Sequence, residues 1–120
     1  MFTRDYILNA AIEYVGHNGF ENLSARSLAQ FARCSIAPIY SSFASMEELK
    51  RQLLMKAKDL LLEYQQMTYV EDPLLNLAHG YAAFATEHNR LFTALFTYSS
   101  EFKAVMDELF EEVVSKVNND

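Results

Sequence analysis

The sequence has few of the residues that build disulfide-rich or turn-rich proteins. It contains one cysteine, three glycines, two prolines and no tryptophan among 120 residues. A single cysteine excludes an intramolecular disulfide framework and a cysteine-based zinc cage, and it is typical of the reducing cytoplasm. Glycine and proline together reach about a third of their usual ~12%. With so few turn residues, a β sandwich or barrel is disfavoured.

Long apolar runs are absent as well. No run approaches the ~20 residues that a membrane span needs, and the N-terminus lacks the apolar core of a signal peptide. The hydrophobic share of 51% is ordinary for a folded chain and argues against intrinsic disorder. Together these features predict a cytoplasmic, all-α protein without a membrane partner.

Charge is unevenly distributed along the chain, whose net charge is −6. Residues 1–58 hold seven basic and five acidic residues, whereas residues 59–120 hold three basic and eleven acidic residues. A basic head on an acidic body indicates a nucleic-acid-facing N-terminal half, because phosphate attraction is local and screened by salt. An ordinary solvated helical surface explains the small basic excess equally well.

Apolar spacing and capping residues predict three helices in the first third of the chain. The second and third are short and joined by a tight turn, which makes a helix-turn-helix whose second helix can enter the major groove of DNA. The predicted boundaries are a first helix from Thr3 to Asn18 closed by Gly19 in the left-handed conformation, a second capped by Ser24, a break at Arg33-Cys34, and a third from Ser35 to Phe43.

Four further helices are predicted, which makes about seven in all. The seventh carries an apolar stripe that would be exposed unless it packs on the fourth helix or on a second chain. The predicted starts and ends are a capping box at Ser45-Met-Glu-Glu48 with a helix to Met67–Val70, an Asp72-Pro73 start with a helix over Leu74–Glu87, a sixth helix capped by Asn89, and a seventh capped by Ser99-Ser100.

No catalytic constellation is visible. The sequence has no Ser/His/Asp order, no glycine-rich phosphate loop and no paired-carboxylate motif, so we do not expect an enzyme. The three histidines lie far apart without a ligand spacing, so neither a metal nor another cofactor is expected. Cys34 is expected to be an inert thiol.

In the predicted helix-turn-helix, one face of the third helix would meet DNA and the other would pack in the core. Ile39 and Phe43 are the predicted core residues. The residues predicted to face DNA are Ile36, Ala37 and Tyr40, with Ser41 or Ser42.

The stretch from Thr3 to Leu54 resembles the N-terminal DNA-binding domain of TetR-family transcriptional regulators. The matching features are Thr3-Arg4 before an Ile7-Leu8…Ala10-Ala11 helix, Gly19-Phe20, Ser24 with Leu28-Ala29, Ser35 before Ile39-Tyr40…Phe43, and Ser45…Glu47-Glu48-Leu49. Asp72 to Phe96 is similar to helices five and six of the family's ligand-binding domain. The resemblance implies a DNA-binding domain over residues 1–46 and a helical ligand-binding and dimerisation body over 47–120, which is incomplete relative to the family.

The resemblance also implies site residues. Tyr40 would bond a phosphate through its hydroxyl, Arg26 would reach a phosphate or a guanine edge, and Ile36 and Ala37 would read thymine methyls or DNA shape. Further contacts are expected from Thr3, Arg4, Ser35, Ser41 and Ser42. The sequence departs from the family by placing Arg33 at a usual glycine, and Ile36 and Met46 at usual lysines. The third helix therefore carries no positive charge.

The body is expected to hold a pocket for a small apolar effector. The alternative is that its aromatic residues simply fill the core. The predicted pocket residues are His79, Phe84, His88, Phe92, Phe96, Phe102 and Met106.

Two functions follow from these observations. The first is a ligand-responsive repressor that binds a palindromic double-stranded DNA operator as a homodimer. The second is a helical ligand-binding or protein-interaction module that kept the fold and lost most of its affinity for DNA.

Overall fold

The computed structural model describes residues 2–119, and within them the chain forms seven α-helices, one 3₁₀ turn and no β-strand. This confirms the predicted all-α class. The helices are α1 (Arg4–Asn18), α2 (Ala25–Ala32), α3 (Ala37–Ser42), α4 (Met46–Gln66), α5 (Pro73–Glu87), α6 (Asn89–Tyr98) and α7 (Ser100–Asn119), and the 3₁₀ turn (Phe20–Asn22) lies between α1 and α2.

Most helix starts are set by the predicted capping side chains. Thr3 accepts a hydrogen bond from the Tyr6 amide, Ser45 from Glu48, and Asp72 from Leu75, at 3.0–3.1 Å. Each bond satisfies one of the amides that a first helical turn leaves without a partner. The Glu48 carboxylate reaches back to the amide of Ala44 rather than to Ser45.

Two predicted helix ends differ from the structure. Gly19 has a positive φ of 88°, but its ψ of 155° is extended rather than left-handed helical, and the 3₁₀ turn follows it directly. The fourth helix ends at Gln66 instead of Met67–Val70. The reason is Asn76, whose side-chain oxygen accepts from the amides of Tyr69 and Val70 while its nitrogen donates to the Met67 carbonyl. Asn76 thus supplies the bonds that further helical turns would have made.

Asn89 is not the cap of the sixth helix. His88 occupies that position without a side-chain capping bond, and Asn89 is already helical. The His88 amide donates to the Phe84 carbonyl at the end of α5, and the His88 carbonyl accepts from Phe92 at the start of α6. A single residue therefore ends one helix and begins the next.

The three N-terminal helices pack around one apolar centre with the start of α4. Its fully buried residues come from each helix in turn, so every predicted amphipathic face contributes to it. They include Ile7, Ala11, Val15, Leu28, Ile39, Phe43 and Leu49.

The body is built on the contact between α4 and α5. At their crossing, Gly80 lets the backbones approach so closely that a Cβ placed on it would lie 2.8 Å from the Gln65 Cα. The remaining contact is sealed by Leu61 and Phe84, both nearly inaccessible to solvent. Only glycine fits at this point of the α4–α5 interface.

Helix α6 joins the body to the N-terminal helices. The Arg90 guanidinium donates to the His17 carbonyl at the end of α1, and the rings of Phe20 and Tyr98 lie 4.7 Å apart. The N-terminal helices and the later helices are therefore joined by direct contacts as well as by α4.

Candidate nucleic-acid interface

The turn between α2 and α3 depends on a left-handed residue that is not glycine. Arg33 has φ 58° and ψ 47°, and its amide and that of Cys34 bond back to the carbonyls of Gln30 and Ala29 at 3.3 and 3.0 Å. A side chain in this conformation costs on the order of 1 kcal/mol. The turn thus holds a residue with a side chain in the left-handed conformation, with strain, and it exposes a guanidinium.

Helix α3 begins two residues later than predicted, and Ser35 does not cap it. The residue before the helix is Ile36, which makes no side-chain capping bond. A capping serine at position 35 would bond the amide two or three residues onward. The residue three onward is Pro38, which has no amide hydrogen. Pro38 thus removes one of the two amides that a Ser35 cap could bond, and α3 spans Ala37–Ser42.

Short as it is, α3 has two distinct faces. Ile39 and the following Phe43 are 1% and 2% exposed, which anchors the helix in the core as predicted. Ile36 and Tyr40 are 41% and 50% exposed, and Ala37 beside them is exposed. The structure therefore brings the predicted DNA-facing residues together on one outward surface.

The hydroxyls on this surface differ in their availability. Ser41 donates to the Ala37 carbonyl at 3.0 Å, so its proton is already used inside the helix. Ser35 is exposed and Ser42 is half-buried. Within residues 2–119 the Tyr40 hydroxyl has no hydrogen-bond partner, which leaves both its donor and its acceptor for a ligand.

Thr3 and Arg4 form hydrogen bonds within the N-terminal helices, here called the headpiece (α1 to α3). The Thr3 hydroxyl caps α1, and the Arg4 guanidinium donates to the Ser42 carbonyl at 2.7 Å. The same guanidinium lies 4.4 Å from the centre of the Phe43 ring and 3.9 Å from a Glu48 carboxylate oxygen. Arg4 therefore holds the end of α3 against α1 and the start of α4. From the sequence it was expected only as a DNA contact.

Two other cations stand near the turn. Arg26 lies in the first turn of α2 and is exposed, as predicted. Arg33 was noted from the sequence only as a departure from a usual glycine, and its exposed side chain is a candidate contact that sequence reasoning missed. The signal was present, because an arginine in the turn adds charge next to α3. Neither arginine forms an ion pair within the described part of the chain.

The predicted effector-pocket residues do not line one common cavity. Phe84 and Phe102 are buried in the core. Phe92 and Met106 line an apolar groove between α5, α6 and α7. Phe96 stacks on Phe92 with its ring centre 6.2 Å away.

The two histidines among the predicted pocket residues do not line that groove. His79 is exposed and stacks on Tyr69, with ring centres 6.0 Å apart. His88 places its Nε2 atom 3.1 Å from the Tyr64 hydroxyl, which itself donates to the Glu87 carboxylate. That hydrogen bond, aided by burial and the carboxylate charge, raises the pKa of Tyr64 to about 12.

Residues 2–119 contain no group of three or more His, Cys, Asp or Glu residues arranged to hold a metal ion. Over the same residues, no helix combines the length and the apolar character needed to cross a membrane.

Comparison with known proteins agrees with this geometry. Residues 7–53 match the family described as bacterial regulatory proteins, tetR family. The chain is similar in fold to a TetR family transcription regulator from Marinobacter aquaeolei, with a TM-score of 0.61 and 17% identity over 97% of this chain. It is also similar to a protein of Streptomyces coelicolor assigned as a transcriptional regulator, with a TM-score of 0.61 and 27% identity over 91% of this chain.

The chain spans 66% and 64% of the lengths of these two proteins. A search of the curated proteins found no match. The resemblance recognised in the sequence is confirmed, since the matched segment covers the helix-turn-helix and the fold likeness extends over nearly the whole chain.

Proposed function

We propose that this chain is a DNA-binding transcriptional regulator of the TetR type, in which α3 enters the major groove. One observation carries the proposal. The segment that matches the family is the one whose short helix turns Ile36, Ala37 and Tyr40 outward while Ile39 and Phe43 fix it in the core. A recognition helix needs that combination of a rigid inner face and a free outer face.

The contact chemistry of this surface is largely uncharged. Tyr40 would donate its unpartnered hydroxyl to a phosphate, and Ile36 and Ala37 would contact thymine methyls. Arg26 and Arg33 would supply phosphate contacts beside the helix, with Ser35 and Ser42 adding hydroxyls at its two ends. Because α3 itself has no cation, the salt dependence of binding is expected to be shallow.

Regulation would pass through α4, which runs from the body into the headpiece. In this proposal residues 1–46 bind DNA and residues 47–120 form the regulatory body. An apolar groove of about 290 Å³ lies between α4, α5 and α7, where Leu61, Leu77 and Val105 line it. A small apolar effector bound there would favour an α4 position that separates two recognition helices from their spacing of one helical turn, about 34 Å. The regulator would thus be a ligand-responsive repressor that acts as a dimer on a palindromic operator.

A second function is favoured by the departures from the family. Ile36 and Met46 stand where lysines are usual, so two expected phosphate contacts are missing. Each lost contact weakens binding to any sequence. A helical interaction module with little affinity for DNA is the function that this loss supports.

A mobility-shift series on the DNA upstream of the protein's own coding region separates the two. The regulator is expected to retard a specific fragment in the presence of excess non-specific competitor, and Tyr40→Phe and Arg26→Ala are expected to weaken that shift. Tyr98→Phe, which removes the same hydroxyl from an exposed tyrosine on α6, is the matched control and should leave it unchanged. Failure to retard any upstream fragment even at low salt would favour the interaction module.

A further inference from the structure

The first turn of α1 donates hydrogen bonds to the last residues of both α2 and α3. The Tyr6 hydroxyl donates to the carbonyl of Ala32, the last residue of α2, at 3.3 Å. The Arg4 guanidinium, two residues earlier, donates to the carbonyl of Ser42, the last residue of α3. The final carbonyls of a helix have no partner within that helix, so each bond satisfies a group that the helix itself leaves unpaired. The ends of α2 and α3 are therefore both attached to one turn of α1.

Tyr6 is itself held in place by its neighbours. Its amide donates to the Thr3 hydroxyl at 3.1 Å, and the centre of the Phe2 ring lies 5.4 Å from the centre of its own ring. These contacts restrict the backbone and the ring of Tyr6, so little further conformational freedom is lost when the hydroxyl bonds to α2. Tyr6 is 46% exposed, but the Ala32 carbonyl already uses its hydroxyl proton, which is not available as a donor to a phosphate.

The bond from Tyr6 reaches α2 directly beside the strained turn. Ala32 precedes Arg33, whose φ of 58° is the one positive φ among the non-glycine residues of 2–119. The Cys34 amide closes the turn by donating to the Ala29 carbonyl at 3.0 Å. A sparsely populated backbone conformation persists only where surrounding contacts fix it. The Tyr6 hydroxyl supplies such a contact at the residue before the strained one.

We propose that Tyr6 is a positioning residue, which fixes the turn between α2 and α3 and with it the orientation of the outer face of α3. Base edges are read by side chains at short range, whereas phosphate contacts carry no sequence information. A change in the orientation of α3 therefore lowers affinity for a specific sequence more than affinity for DNA in general. The effect on DNA binding rests on the proposed function, whereas the effect on the turn does not involve DNA.

Amide hydrogen exchange of the whole chain without DNA tests the effect on the turn. Tyr6→Phe removes the hydroxyl and keeps the ring. The Cys34 amide is then expected to exchange about two- to tenfold faster than in the wild type, because one hydrogen bond no longer opposes local opening of the turn. Tyr14→Phe is the matched control, since the Tyr14 hydroxyl also donates from α1 to a backbone carbonyl, at 3.0 Å. That carbonyl belongs to Asn22, which lies before α2 rather than after it, so the exchange of Cys34 should stay unchanged.

Fluorescence anisotropy tests the effect on DNA by comparing the upstream fragment with a non-specific duplex. Tyr6→Phe is expected to lower affinity for the upstream fragment about two- to tenfold and to leave affinity for the non-specific duplex unchanged. Loss of a direct phosphate contact, or a smaller folded fraction, would instead lower both affinities by the same factor. Far-UV circular dichroism checks that both variants keep their helix content.

Three results would overturn the proposal. They are an unchanged exchange rate of the Cys34 amide in Tyr6→Phe, an equal acceleration of that exchange in Tyr14→Phe, and equal losses of affinity for the two duplexes in Tyr6→Phe. Faster exchange in Tyr6→Phe alone, in a chain that binds neither duplex, would support the role of Tyr6 in the turn and contradict the proposed function only.

Discussion

The Arg4 guanidinium donates to the Ser42 carbonyl at 2.7 Å, so the first turn of α1 holds the last turn of α3. The same group packs 4.4 Å from the centre of the Phe43 ring. A side chain expected to touch DNA thus also fixes the orientation of α3. Stability and DNA affinity should be linked through this residue.

Replacing Arg4 tests that linkage. Arg4→Ala is expected to lower the free energy of unfolding by about 1 kcal/mol, because it removes a charge-assisted hydrogen bond and ring packing. Arg4→Lys keeps the charge but not the planar fork, so it should recover only part of the loss. Urea denaturation followed by circular dichroism measures both variants. Equal stability of Arg4→Ala and the wild type would show that the contact contributes nothing to the headpiece.

Replacing Arg33 by glycine is expected to raise the free energy of unfolding, whereas replacing Arg4 lowers it. Arg33→Gly is expected to stabilise the chain by about 1 kcal/mol, because glycine adopts φ 58° without the Cβ clash. Arg33→Ala is the matched control, since it removes the same charge but keeps the clash. Both variants should lose the same DNA affinity if the guanidinium contacts phosphate. Thermal unfolding and DNA titration of the pair separate the backbone effect from the charge effect, and equal melting temperatures would contradict the strain.

Two glycines in helices should respond oppositely to the same substitution. Gly80→Ala places a Cβ 2.8 Å from the Gln65 Cα and is expected to cost about 1–3 kcal/mol as α4 and α5 are forced apart. Gly16→Ala meets nothing within 4 Å and is expected to stabilise α1 by about 0.5–1 kcal/mol. Chemical denaturation of both variants checks the contrast. A neutral Gly80→Ala would mean that α4 and α5 are not in close contact.

Alkaline pH should weaken the contact between the ends of α4 and α5. The pKa of Tyr64 is raised to about 12 by its hydrogen bond to Glu87, whereas an unfolded tyrosine titrates near pH 10. A raised pKa gives stability that is fully present below pH 10 and is lost as the pH rises toward 12. Tyr64→Phe should flatten the stability profile in that window. The unfolding midpoints of the wild type and of Tyr64→Phe at pH 8, 10 and 11.5 measure this difference. Identical profiles for both would show that Tyr64 does not contribute to the loss of stability at alkaline pH.

The parts of the fold that were predictable from sequence depend on local chemistry. Thr3, Ser45 and Asp72 cap helices because a side-chain oxygen needs only an amide three residues away. Ser35 does not cap α3, and Pro38, three residues onward, lacks that amide. The end of α4 depends on Asn76, which lies nine residues beyond Met67, so no local pattern marks it.

The same difference between local and long-range contacts decides which features of the candidate site were predictable. The outward position of Tyr40 and the buried position of Ile39 follow from helical periodicity, and both were predicted. The second role of Arg4 and the engagement of His88 with Tyr64 depend on contacts between residues 38 and 24 positions apart. Such contacts are set by how the helices pack, which composition and spacing do not specify.

The central claim is that α3 meets DNA through an uncharged surface, and the salt dependence of binding tests it most directly. Fluorescence anisotropy with the upstream fragment, measured at several salt concentrations, gives the slope of log K against log salt for the wild type and for Ile36→Lys. A shallow wild-type slope that steepens by about 0.9 in Ile36→Lys is expected, because the new lysine adds one phosphate contact. An unchanged slope in Ile36→Lys, or no wild-type binding at the lowest salt, would contradict the account.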